Sequence, residues 1–230
     1  MQYAQTCQAT FINRPNRFIA QCQIGKKEVT AHVKNTGRCK ELFVPGAQLI
    51  LNYVPAPNRK TDYDVVAVIK NNRLINIDSQ IPNAVVLEAL HTKQLILPQM
   101  EQLTMIKSEV VYGKSRLDFY LESEKRTMYM EVKGVTLEEN GIVLFPDAPT
   151  QRGIKHIYEL IHAVQNGYEA CLFFLVQMNQ IQYFTPNMKT HPEFGEALKK
   201  AAHQGVQLLC YDSIVTSDSI QIGKPVPIFL

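Results

Sequence analysis

Residues 115–135 read SRLDFYLESEKRTMYMEVKGV, and the fold is decided by how this stretch is parsed. Two runs of β-type residues, Ser115–Leu121 and Thr127–Val135, flank a short charged turn. Side chains at i and i+2 of a strand share a face, so Glu131 and Lys133 project together while Val132 enters the core behind them. Asp118 lies in the preceding strand, where strand pairing can bring it alongside Glu131. Two carboxylates meeting at a strand edge make a hard-oxygen site suited to Mg²⁺ or Mn²⁺. Such a cation activates water and neutralises charge on a phosphodiester. An adjacent lysine orients the water or offsets charge in the transition state. A Glu-X-Lys triplet on its own is ordinarily a surface ion pair. Asp118 and the order of the surrounding elements set this one apart.

Working outward, Thr104–Tyr112 is a third β-type run, joined to the next by the tight link Gly113-Lys114. Before it, Ile81-Pro82-Asn83 opens a helical stretch, Ala84–His91. After residue 135 come a short run, Ile142–Phe145, and an amphipathic helix over Thr150–Gln165. That helix carries Ile154, Ile157, Leu160, Ile161 and Val164 on one stripe and stops at Gly167. Glu169–Val176 is apolar on both faces, as a central strand should be. A further helix, about His191–His203, leads to a strand at Val206–Tyr211. The order predicts an α/β domain with a mixed sheet over residues 81–230.

Residues 1–80 have a different character. Thr6–Ile12, Arg17–Ile24, Glu28–Val33, Gln48–Val54 and Val65–Ile69 are short β-type runs separated by Gly25, Gly37, Pro45-Gly46 and Pro55–Asn58. No helical period interrupts them, so an OB-like small β-barrel is expected here. This segment holds eleven Lys/Arg against five Asp/Glu, a net of +6, whereas residues 81–230 hold thirteen against sixteen. The asymmetry fits a basic module for a polyanion beside a more acidic one whose carboxylates hold metal. Arg14, Arg17, Phe18, His32, Asn35, Thr36, Arg38 and Lys40 gather around two loops of the barrel. They supply phosphate contacts, a stacking ring and backbone hydrogen bonds, and make DNA the expected partner.

Other chemistries find no support. The five cysteines are odd in number and form no CxxC pair, which argues against a disulfide framework or a structural zinc. Ser108–Ser115 imitates a phosphate-binding loop but lacks its first glycine and precedes a strand. No apolar run approaches the roughly 20 residues needed to cross a membrane. The first twenty residues lack a signal-peptide stretch, so a cytoplasmic location is expected. The residues imply no particular protein partner, and a homodimer is compatible with them.

Asp118 followed by Glu131-Val132-Lys133, within the order helix, three strands, helix, strand, resembles the PD-(D/E)XK nuclease superfamily, with Leu117 replacing the usual Pro. That resemblance implies an acidic residue on the first helix, for which Glu88 is the candidate and Glu109 the alternative. It also implies phosphate contacts from the helix after the site strands, where Arg152, Lys155 and His156 lie. Four segments extend the likeness across nearly the whole chain: 31–38 (AHVKNTGR), 112–119 (YGKSRLDF), 131–137 (EVKGVTL) and 145–156 (FPDAPTQRGIKH). Together they are similar to the sugar fermentation stimulation protein A family, with Lys34 where Pro and Gly134 where Asn is common. Membership implies an OB-like domain, a nuclease-like domain and DNA binding without strong sequence preference, with Arg116 among the contacts. Two functions follow as expectations: a Mg²⁺- or Mn²⁺-dependent DNA endonuclease using Asp118, Glu131, Lys133 and Glu88, or a non-enzymatic DNA-binding regulator on a nuclease scaffold. RNA or branched DNA is a third candidate ligand.

Overall fold

A computed structural model describes residues Met1–Leu230. Six strands open the chain: β1 (Thr6–Asn16), β2 (Ile19–Ile24), β3 (Lys27–Val33), β4 (Gln48–Tyr53), β5 (Tyr63–Lys70) and β6 (Arg73–Asn76). They lie in the order β3-β2-β1-β4-β5-β6, and β3 also pairs in parallel with β5. That extra pairing closes the first five strands into a barrel of OB topology, with β6 added outside on β5. The sequence produces this shape through alternation and a bend. Ala9, Phe11, Ala20, Cys22, Ala31, Val33, Leu49 and Leu51 fill the interior from alternating positions. Register shifts in β1 between Phe11 and Asn16 bend the strand, as bulges do in small barrels.

The second unit comprises α1 (Ile81–His91), β7 (Leu103–Tyr112), β8 (Ser115–Ser123), β9 (Thr127–Val135), β10 (Leu137–Glu139), β11 (Ile142–Phe145), α2 (Gln151–Gln165), β12 (Glu169–Val176), β13 (Tyr183–Pro186), α3 (Pro192–His203), β14 (Gln207–Val215) and β15 (Ile220–Pro225). Its main sheet runs β15-β14-β12-β9-β8-β7, parallel across β9, β12 and β14 and antiparallel at both margins. A small sheet, β10-β11-β13, lies beside it. This is the mixed-sheet α/β domain the pattern predicted; β10, β13 and β15 are additions to it, as β6 is to the barrel.

The faces of the main sheet bury different clusters. One face packs against α2 and α3 through Ile157, Leu160, Phe194 and Leu198; the other packs against α1 through Val85, Val86 and Leu90. Each such side chain, fully buried, contributes about 1.5–3 kcal/mol. Thr150 caps α2, its Oγ1 accepting the Gly153 N–H at 3.0 Å.

Barrel and sheet share a polar joint. Gln177, just past β12, donates through Nε2 to Asn76 Oδ1 at 2.9 Å and to the Asp78 carbonyl at 3.0 Å. Lys34 pairs with Asp78 at 2.7 Å, and Asp147 accepts the Arg38 backbone N–H at 2.9 Å. Buried polar groups satisfied from both sides hold the two units in one orientation.

Candidate functional site

The site begins with a break in strand alternation. Leu117 belongs to the cluster under α2, yet Phe119 and Leu121 belong to the cluster under α1, so β8 changes face at Asp118. Strand β7 changes with it: Ile106 packs on the α1 side and Val110 on the α2 side. Between them lies Glu109, opposite Asp118 in the register and held at φ +55°. A non-glycine residue there is strained, and such strain collects at functional sites.

The β8–β9 ladder extends no further this way than Phe119↔Met130. Beyond it the Asp118 side chain stands in for the missing strand contact. Its Oδ2 accepts the Val132 backbone N–H at 2.7 Å, and its Oδ1 accepts Asn83 Nδ2–H from α1 at 2.8 Å.

Glu131 projects from the other side of β9, only 3 % exposed. Its Oε1 accepts from both Lys133 Nζ and His156 Nδ1, while its Oε2 is buried with no hydrogen-bond partner. Burial, then the charge of Glu131, raises the Asp118 carboxyl above the ordinary range despite the Val132 and Asn83 hydrogen bonds. Burial would also raise Glu131, but the His156 hydrogen bond and Lys133 outweigh it and hold this carboxyl below the ordinary range. Leaving a buried carboxylate oxygen bare costs at least about 1–3 kcal/mol. A hard cation at Oε2 would remove that cost. The donor set therefore fits Mg²⁺ or Mn²⁺. No group of three or more His, Cys, Asp or Glu side chains is gathered for a metal, so water or a substrate phosphate must complete such a shell.

The other predicted residues divide. Glu88 does not reach the acids: it is exposed, paired with the Met1 amino group against β15, because α1 turns its Asn83 face to the site. Glu109 does not serve either, since its side chain points to solvent and pairs with Arg116 at 3.3 Å. His156 is no phosphate contact, being 4 % exposed and bonded to Glu131. Arg152, Lys155 and Arg116 do lie at the surface, with Lys155 Nζ donating to the Lys114 carbonyl at 2.6 Å. Asn83 was not anticipated; its only signal was its place beside Pro82 at the helix start.

In the barrel, Arg17 and the 40 % exposed Phe18 form the β1–β2 tip, and the Arg17 guanidinium lies 4.9 Å from the ring centre. Thr36, Arg38 and Lys40 are exposed on the loop after β3. Three expected contacts are engaged within the barrel as braces. Arg14 donates to the Arg38 carbonyl at 2.8 Å and stacks on Phe43, Asn35 is buried against the Ile77 carbonyl at 2.8 Å, and His32 lies 3.5 Å from Asp64. A cleft of about 390 Å³ runs between the two units. Arg17, Thr36 and Ser79 line one wall, Asp147 and Thr150 the other, and Gly134, next to Lys133, also lines it.

Comparison with known proteins gives two family matches: "SfsA N-terminal OB domain" over residues 12–77 and "Sugar fermentation stimulation protein RE domain" over residues 80–219. A sugar fermentation stimulation protein homolog of Desulfitobacterium hafniense strain Y51 is 51% identical over 230 residues, covering 100% of this chain and 99% of that protein. The homolog of Clostridium beijerinckii is 46% identical over 230 residues, covering both chains completely. Among solved structures, Pyrococcus furiosus SfsA in complex with Ca²⁺ matches with a TM-score of 0.89 and 27% identity, over 100% of this chain and 98% of that one.

Proposed function

The chain belongs to the sugar fermentation stimulation protein family, and on that premise we propose that it is a DNA-binding protein, largely indifferent to sequence, with a Mg²⁺- or Mn²⁺-dependent phosphodiesterase site at Asp118, Glu131 and Lys133. The observation that carries the reading is the bare, buried Oε2 of Glu131, whose other oxygen is already taken by Lys133 and His156. The Ca²⁺ of the Pyrococcus furiosus relative supports a hard divalent cation in this fold. Asp118 and Glu131 would hold it, and when bound it supplies Lewis-acid charge and an acidified water.

This chain's own residues do the rest. Asp118 is fixed from two sides, by Val132 and Asn83, and so keeps one geometry. Lys133 places an ammonium beside Glu131, where it offsets negative charge developing on a phosphate. The exposed Arg17, Thr36, Arg38 and Lys40 of the barrel, with Arg152 and Arg116 of the second unit, grip the DNA backbone without reading bases.

A second reading, DNA binding without turnover, is favoured by Asn83: a neutral amide stands where a third acid was expected, leaving two carboxylates. Supercoiled plasmid incubated with protein and Mn²⁺ separates the two. Nicking that a chelator abolishes supports the phosphodiesterase. Intact plasmid, retarded in a gel in a salt-sensitive way, supports the binder.

A further inference from the structure

We infer that His156 is a positioning residue, which holds Glu131 in one orientation and so reserves Oε2 for a divalent cation; this rests on the cation reading proposed above. His156 lies next to the apolar stripe of α2, beside Ile157, and is as buried as a core residue. An imidazole there is tolerated only if its nitrogens have partners. Both have one: Nδ1 contacts Glu131 Oε1, and Nε2 lies 3.4 Å from Arg152 Nε.

Arg152 Nε can only donate, so Nε2 is the acceptor in that contact and the ring hydrogen sits on Nδ1, facing Glu131. The ring is therefore a rigid donor aimed at one carboxylate oxygen. Lys133 reaches the same oxygen, but its ammonium rides on a flexible stem and could move between the two. With His156 in place Oε1 is doubly occupied and Oε2 is left bare. The arrangement parallels outer-shell partners that orient metal-ligating carboxylates, whose loss typically weakens metal affinity about 10- to 100-fold.

The test is calorimetric titration of Mn²⁺ into the full chain: wild type, His156→Leu, which removes the donor, and His156→Asn, whose amide can donate near the position of Nδ1. Thermal unfolding without metal is recorded for each. The expected result is Mn²⁺ affinity lowered about 10- to 100-fold in His156→Leu and largely retained in His156→Asn. If wild type binds no Mn²⁺, the cation reading falls and this inference with it. If wild type binds and His156→Leu binds equally well, or both variants lose affinity equally, only the positioning role is overturned. Should His156→Leu not fold, His156→Ala replaces it; the same weakening is expected, and unchanged affinity overturns the inference.

Discussion

Asp118 accepts the backbone N–H of Val132 at 2.7 Å, so the first acid of the site is also the clamp that joins β8 to β9 beyond the end of their ladder. Its other oxygen takes Asn83 at 2.8 Å. Removing the carboxylate thus orphans two donors, one of them on the backbone. Asp118→Ala is expected to destabilise the metal-free protein by about 2–6 kcal/mol, from roughly 1–3 kcal/mol per orphaned group. Asp118→Asn keeps one acceptor and sheds a charge that burial disfavours, so it should cost far less. Urea denaturation of both variants checks the order; equal stability of the two would contradict the clamp.

Asn83 offers the complementary change. Asn83→Asp places a third carboxylate beside Asp118 and Glu131. Without metal it should destabilise the protein at neutral pH, because like charges repel in a buried site. With metal it should tighten Mn²⁺ binding by about tenfold, ~1.4 kcal/mol. Calorimetry reads the second effect and thermal unfolding the first.

Glu138, at the start of the small sheet, pairs with Lys70 at 3.1 Å and Arg73 at 3.4 Å across the joint to the barrel. Burial would raise its pKa, but the Gly141 N–H, Lys70 and Arg73 outweigh it and hold this carboxyl below the ordinary range. A carboxyl lowered on folding adds stability that is fully present above the unfolded value of about 4.3. That stability is lost as pH falls through the lower, folded value. Wild type should therefore exceed Glu138→Gln in urea midpoint at neutral pH, and the difference should close in acid below about pH 4. A gap that persists in acid would contradict the assignment.

The barrel separates grip from brace. Arg17 is exposed at the β1–β2 tip, so Arg17→Ala should weaken DNA binding across sequences and reduce the salt slope by about 1. Arg14 holds its own loops through the Arg38 and Arg17 carbonyls and the Phe43 ring. Arg14→Ala should lower the unfolding midpoint first. Fluorescence anisotropy on a labelled duplex over a salt series, beside thermal melts, distinguishes them.

Much of this was legible in the sequence because the signals are local. Glu131 and Lys133 share a face by the period of a strand, Thr150 announces α2, and the apolar run of β12 could only be central. Strands β6, β10 and β13 are three or four residues long and exist because a neighbour pairs with them, which no local pattern reports. The change of face at Asp118 and Glu109 was invisible for the same reason: alternation breaks there to satisfy Val132 on another strand. Glu88 looked right by its acidity, but the docking of α1 presents Asn83 instead. His156 read as a phosphate contact because its partner, Glu131, is twenty-five positions away in the chain.

The central claim is that Asp118, Glu131 and Lys133 form one working site, and plasmid nicking in Mn²⁺ by wild type, Asp118→Asn and Lys133→Ala tests it most directly. The account predicts cleavage by wild type and a loss of about 10²- to 10³-fold in Lys133→Ala, with at least as great a loss in Asp118→Asn and DNA binding retained by all three. Nicking by either variant at the wild-type rate would contradict it.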